Sequence, residues 1–338
     1  MTVFPGPVSF RTAQLFLAAA GALVLAQFLG LKHPYWAAMP VWVVSQAFRE
    51  DLVIRAVLRV IGTLIGAALA ISALTLTDGK TLHLLLMAFT VGVATATAYW
   101  IGTVFSYAAM LISITVAVII LPSLLLDHTV DSTVLALSYD RMFCTLIGVI
   151  AVTLTTFPFT PMRAQHMPLR VNHGNHIARR NGVIAAVVVL VGGAVVIWHP
   201  GVVTLSIAMG LAIFSTIIGS RPNPEGMLKN IVPSSMIGAM AGVAYRVVLD
   251  VSGMSGMEAI FVAIPFLAVG AYLRANPKTT LWAININIIF LLSAEVGTSG
   301  QALQVQVLSN IALIGAAGFM TALHWTILKL DKRATLDA

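Results

Sequence analysis

Twelve apolar stretches follow one another along this chain with few charges between them, at about 12–31, 34–48, 53–76, 82–101, 104–125, 141–158, 182–198, 201–219, 231–251, 257–273, 278–296 and 301–328. A helix needs about 20 apolar residues to cross the hydrocarbon core of a bilayer. The spacing therefore predicts an all-α membrane protein with about 12 transmembrane helices. Composition agrees. Of 338 residues 59% are hydrophobic and 9% charged, where a soluble domain carries about 25% charged residues. Twelve spans would use about 240 residues, which leaves no room for an independent soluble domain. The function expected is one performed inside the bilayer.

The net charge is +7 and the pI about 9.9. In a soluble chain that would suggest nucleic acid. Here the basic residues cluster at the ends of apolar stretches, so no nucleic-acid partner is expected. With both termini cytoplasmic, 15 of the 19 Lys and Arg residues fall inside, leaving Lys32, Lys80, Arg141 and Arg246 outside. That bias is the positive-inside rule. The first helix reads as retained. The lone Cys144 lies in an apolar run and offers neither a disulfide framework nor a paired metal site.

The chain repeats itself weakly. His33-Pro34 recurs as His199-Pro200. Gly62-Thr63-Leu64-Ile65-Gly66-Ala67 matches Ser234-Ser235-Met236-Ile237-Gly238-Ala239, Ala98-Tyr99 matches Ala271-Tyr272, and Ser113-Ile114-Thr115 matches Asn285-Ile286-Asn287. The order is kept throughout. This predicts two parallel six-helix repeats, 1–158 and 182–338, joined by a basic cytoplasmic linker over 159–181.

His33-Pro34-Tyr35-Trp36-Ala37, then Ser45-Gln46, then the Arg55 to Gly66 run with Arg59, Gly62 and Thr63 resembles the membrane domain of the fusaric acid resistance family, grouped with aromatic acid exporters. Many members carry a large cytoplasmic domain after each six-helix unit; here the linker is short. The resemblance implies a secondary exporter of small aromatic or hydrophobic organic acids in the bacterial inner membrane, proton-coupled and working with a periplasmic adaptor protein. Distant plant relatives imply an organic-anion channel or facilitator as the alternative. A non-transporting scaffold subunit is a third reading. A homo-oligomer fits each of them.

Candidate site residues follow from polarity at depth. Ser113 and Thr115, with Asn285 and Asn287, occupy equivalent mid-span positions suited to binding substrate or to bonding helix to helix. Residues two apart do not share a helix face, so at most one of each pair need point inward. Arg59 lies about two turns into its span, where a charge needs an acidic partner, a water cavity or an anionic ligand. Glu50 and Asp51 sit too far toward the loop to pair it easily. Tyr99, Trp100, Phe105 and Tyr107 cluster at the turn between the fourth and fifth spans, as an interfacial belt or as a gate that stacks on an aromatic ring; Tyr35 and Trp36 pose the same choice on the outer side. Asp140-Arg141 reads as the cap and anchor of the sixth span, and Asp140 and Glu295 are the acidic candidates for proton coupling. Gly62, Gly66, Gly238 and Gly242 form small-residue packing faces. The linker histidines His166, His173 and His176 have no Cys or acidic companion, so no metal site is expected. No nucleotide-binding or catalytic signature is present. The protein is expected to be no enzyme, to need no cofactor, and to draw on an ion gradient or work passively.

Overall fold

The computed structural model describes residues 6–125, 132–163, 168–171 and 174–336. His166 and His173 lie outside the described residues. Among the described residues twelve α-helices follow in order: α1 Val8–Phe28, α2 Tyr35–Val44, α3 Arg49–Leu76, α4 Lys80–Ile101, α5 Tyr107–Ser123, α6 Ser132–Thr156, α7 Asn175–Trp198, α8 Val202–Gly219, α9 Glu225–Ser252, α10 Met257–Ala275, α11 Thr280–Ala294 and α12 Leu303–Leu336. Ten are long and apolar enough to cross a membrane; α2 and α11 are shorter. Large apolar side chains such as Leu17, Phe28, Met240 and Val251 remain exposed on the outer faces. Lipid in place of water removes the cost of that exposure.

Most of the helix pairs follow one rule, the α1–α6 contact being the largest exception. Adding six to each helix number, and counting α13 as α1, turns one packed pair into another. Thus α3 packs on α5 as α9 packs on α11, α4 on α7 as α10 on α1, α2 on α6 as α8 on α12, and α5 on α8 as α11 on α2. Small residues make the first of these contacts possible. A Cβ on Gly62 would stand 2.7 Å from the Ala108 carbonyl oxygen, and one on Gly66 would stand 2.8 Å from the Thr115 Cβ. In the other half, a Cβ on Gly238 would stand 2.6 Å from the Ile286 carbonyl oxygen. The helices therefore approach backbone to backbone.

The second apolar stretch differs from the continuous span expected over 34–48. Helix α2 has 10 residues, about 15 Å of rise, or half a bilayer core. Ser45 then leaves the helical conformation, and Phe48 has an extended backbone. Non-helical backbone is tolerated at depth only when protein satisfies it, and here arginines do so. Arg274 donates to the Trp42 and Ser45 carbonyls, each at 2.9 Å. Arg55 donates to Val43 at 3.2 Å and Arg11 to Gln46 at 3.2 Å. These cations also oppose the negative end of the α2 dipole. Arg11, Arg59, Arg141, Arg246 and Arg274 are all buried, so several of the basic residues in the inside–outside count are interior parts and not loop anchors.

Two boundaries also differ from expectation. Helix α6 begins at Ser132, so Asp140 and Arg141 lie more than two turns inside it and do not cap it. Ser132, Thr133, Ser138 and Tyr139 make its first turns too polar to register as apolar. Helix α7 begins at Asn175, which places His176, Arg179 and Arg180 in its first turns. The linker is tied down at both ends. The Arg49 amide donates to the Pro161 carbonyl at 2.9 Å, the Val171 amide donates to Ile101 at 3.1 Å, and Thr103 Oγ1 donates to Leu169 at 2.8 Å.

Candidate functional site

A cavity of about 460 Å³ lies where α2, α3, α5 and α6 of the first half face α8, α11 and α12 of the second. Its length runs from His33, Glu295 and Gln301 at one end to Arg55 and Arg221 at the end nearest the linker. The walls are mostly apolar, with Met39, Met110, Met209, Ile213 and Ile288 among them. That size and lining suit a single-ring organic molecule.

The charge in these walls is one-sided. Arg55, Arg59, Arg141 and Arg221 line the cavity, and Glu295 is the one carboxylate among the described lining residues. Arg59 comes from α3 and is 5% exposed. One of its terminal nitrogens donates to the Tyr107 hydroxyl at 2.5 Å. Gly62, one turn further along α3, brings the helix against Ala108, the neighbour of Tyr107, and so sets that reach. Asp51, the acidic residue nearest in sequence, pairs instead with Arg163 of the linker. Glu50 accepts from the Arg163 backbone amide at 2.9 Å. Arg59 has no ion pair among the described residues.

Arg141 comes from α6 and is 6% exposed. Its guanidinium makes no hydrogen bond or ion pair with a described residue and lies 5.1 Å over the Trp36 ring. Arg59 is within Coulombic reach of it, and the two like charges repel. Asp140 is adjacent in sequence but turned away: its Oδ2 is 2.8 Å from His33 Nδ1. The His33 ring stacks on Trp36 with centroids 4.5 Å apart and planes at 17°. A cation held by an aromatic face keeps its N–H edges available.

Glu295 caps α11 at φ 47, the left-handed region. Glycine or asparagine usually fills that place, so a glutamate there is held at some cost in backbone energy. Burial pushes its carboxyl above the usual carboxylate range, and Arg246 acts in the opposite sense. On the α12 wall, Asn310 donates to the Ser293 hydroxyl at 2.7 Å.

The structure thus brings Arg59, Tyr107 and Glu295 to one cavity, with Asp140 one hydrogen bond behind it. It does not bring the four paired mid-span residues there. Ser113 and Thr216 share a hydrogen bond of 2.7 Å between α5 and α8. Thr115 is fully buried at the Gly66 contact. Asn285 donates to Ser234 and Ser235 of α9 at 2.8 and 2.9 Å, and Asn287 to the Gly270 carbonyl of α10 at 3.1 Å. Their neighbours Leu111, Ile114, Ile284 and Ile288 face the cavity instead. Tyr99 is buried and stands outside the cavity wall. Arg141 and His33 are among the wall residues that sequence reasoning did not assign to a site. An arginine inside an apolar helix was the available signal, hidden by a helix start placed nine residues late. Among the described residues no group of three or more His, Cys, Asp or Glu is placed to hold a metal ion.

The sequence matches the model of the fusaric acid resistance protein family twice, over residues 10–170 and 162–337. No curated protein and no solved structure matches the chain.

Proposed function

Since the chain belongs to the fusaric acid resistance protein family, a family of membrane proteins associated with transport and efflux, we propose that it is a proton-coupled secondary exporter of small aromatic or hydrophobic organic acids. The substrate sits between two parallel six-helix repeats, with both termini and the linker cytoplasmic. The double family match, the pairing rule among the helices and the excess of Lys and Arg on one side support that arrangement.

One observation carries the reading: Arg59 and Arg141 are buried in one cavity, and among the described residues no carboxylate is paired to either. Removing an ion from water costs several kcal/mol after relaxation. A carboxylate bridging the two guanidiniums offsets that cost by charge-assisted hydrogen bonds. Apolar walls accept a ring. Glu295, whose carboxyl takes a proton more readily than usual, is the proton-coupling group on this reading, with Asp140, hydrogen-bonded to His33, as the second candidate.

An anion channel is the second reading, favoured by the polar wall shared between this cavity and a neighbouring one. Proteoliposomes loaded with a labelled hydroxybenzoate separate the two. Movement against its own gradient, driven by an imposed pH difference, supports the exporter. Purely downhill flux that ignores the pH difference supports the channel. Absence of flux with a series of such acids refutes both.

A further inference from the structure

A second void, of about 480 Å³, adjoins the first at the linker end. Val43, Arg55, Tyr107, Met110 and Arg221 stand in the walls of both. Gly102, Thr103 and Ser106 of the α4–α5 turn, with Pro168 and Val171 of the linker, complete the second void. Its one carboxylate among the described lining residues, Asp51, is already paired with Arg163. That leaves Arg55 and Arg221, one from each half of the chain, without an ion pair among the described residues.

Arg221 follows the end of α8 and is exposed. Its guanidinium makes no hydrogen bond or ion pair with a described residue. Arg55 gives one hydrogen bond, to the Val43 carbonyl, and lies 5.4 Å over the Tyr107 ring. The two arginines are within Coulombic reach of each other. Tyr107 and Asp51 act on Arg55 in the opposite sense, and no described carboxylate forms an ion pair with either arginine. Tyr107 is the shared partition: its ring carries Arg55, and its hydroxyl accepts from Arg59. Arg55 and Arg59 are one turn apart on the same face of α3, so the steps on either side of Tyr107 are neighbours at about 5–6 Å between Cβ atoms.

We infer that Arg55 and Arg221 form a second anion-binding station, separate from Arg59 and Arg141, which takes a small carboxylate in the linker-side void before it passes Tyr107. The inference rests on the transport reading above. Two stations suit transport better than one deep site. Each guanidinium pair compensates the anion, and neither holds it so tightly that it cannot leave. Transfer exchanges Arg55 and Arg221 for Arg59 and Arg141. It requires only that Arg59 give up its bond to the Tyr107 hydroxyl in favour of the arriving carboxylate. No covalent step is involved.

The test uses the full chain in nanodiscs of zwitterionic lipid, so that no lipid anion competes, with 4-fluorobenzoate as probe and fluorine NMR as readout. The expected result is two bound resonances in the wild type. Arg221→Gln removes one, Arg141→Gln removes the other, and Arg221→Lys retains both. Thermal unfolding of each variant checks that the fold persists, and the lysine variant keeps the result interpretable if Arg221→Gln destabilises it. A single bound resonance that Arg141→Gln abolishes and Arg221→Gln leaves intact overturns the second station while leaving the transport site standing. A single resonance that only Arg221→Gln abolishes upholds this station and overturns the cavity between the halves. No bound resonance at any probe concentration overturns both.

Discussion

The Arg141 guanidinium rests 5.1 Å above the Trp36 ring, deep in α6, with no carboxylate paired to it among the described residues. A buried arginine held only by an aromatic face is poorly compensated in the empty protein and well placed to receive an anion. Arg141→Gln should therefore leave thermal stability equal or higher, because an uncompensated buried charge is removed. Transport should fall. A hydrogen bond to a charged group contributes about 1.5–3 kcal/mol, so the affinity for a benzoate-like substrate should drop roughly tenfold to a hundredfold. Parallel melting and transport assays check the opposite signs.

Tyr107 supplies the only hydrogen bond that the Arg59 guanidinium makes among the described residues. Tyr107→Phe keeps the ring beneath Arg55 and loses that bond, with a stability loss of about 1–2 kcal/mol. The freed Arg59 is then fully available to an anion. Benzoate should raise the melting temperature of the variant more than it raises that of the wild type, which differential scanning measures directly.

Glu295 predicts the pH response. Burial raises its carboxyl, so the group becomes neutral as pH falls through that raised value. Acidification then neutralises the one carboxylate among the described lining residues of a cavity that also presents His33, Arg141 and Arg59. Anion affinity should strengthen as pH falls. Glu295→Asn is neutral at every pH and tolerates the left-handed backbone, so it should hold the strong affinity throughout and lose no stability. Benzoate affinity measured across pH in both proteins decides this.

Gly62 sets the α3–α5 distance on which Arg59 depends. Gly62→Leu drives a side chain into the Ala108 backbone and should cost about 1–3 kcal/mol, with loss of transport. Gly21→Ala is the control, since a Cβ there meets nothing within 4 Å. Melting temperatures of the two variants give the comparison.

The helices were legible because apolar length is a direct consequence of the solvent, and the glycine faces were legible because close backbone approach needs small residues at fixed spacing. The boundaries that mattered for the site were not. Polar residues in the first turns of α6 masked its start, and Arg141 consequently read as an anchor at a helix end. The break after α2 was equally hidden, because its carbonyls are satisfied by Arg11 and Arg274, the latter far along the chain. Asn285 and Asn287 show the opposite failure. Polarity at depth marked them, yet a side-chain amide satisfies itself on a neighbouring helix as readily as on a ligand. Arg59 does line the cavity, and its charge, unlike an amide, is hard to satisfy by packing alone.

On the proposed mechanism an organic acid lies between the halves with its carboxylate on Arg59 and Arg141. Crystals grown with 4-bromobenzoate put this to the test. The expected result is an anomalous bromine peak among Met39, Met209, Ile213 and Ile288, with the carboxylate within hydrogen-bond distance of both guanidiniums. A bromine peak elsewhere, with this cavity empty of the acid, would contradict it.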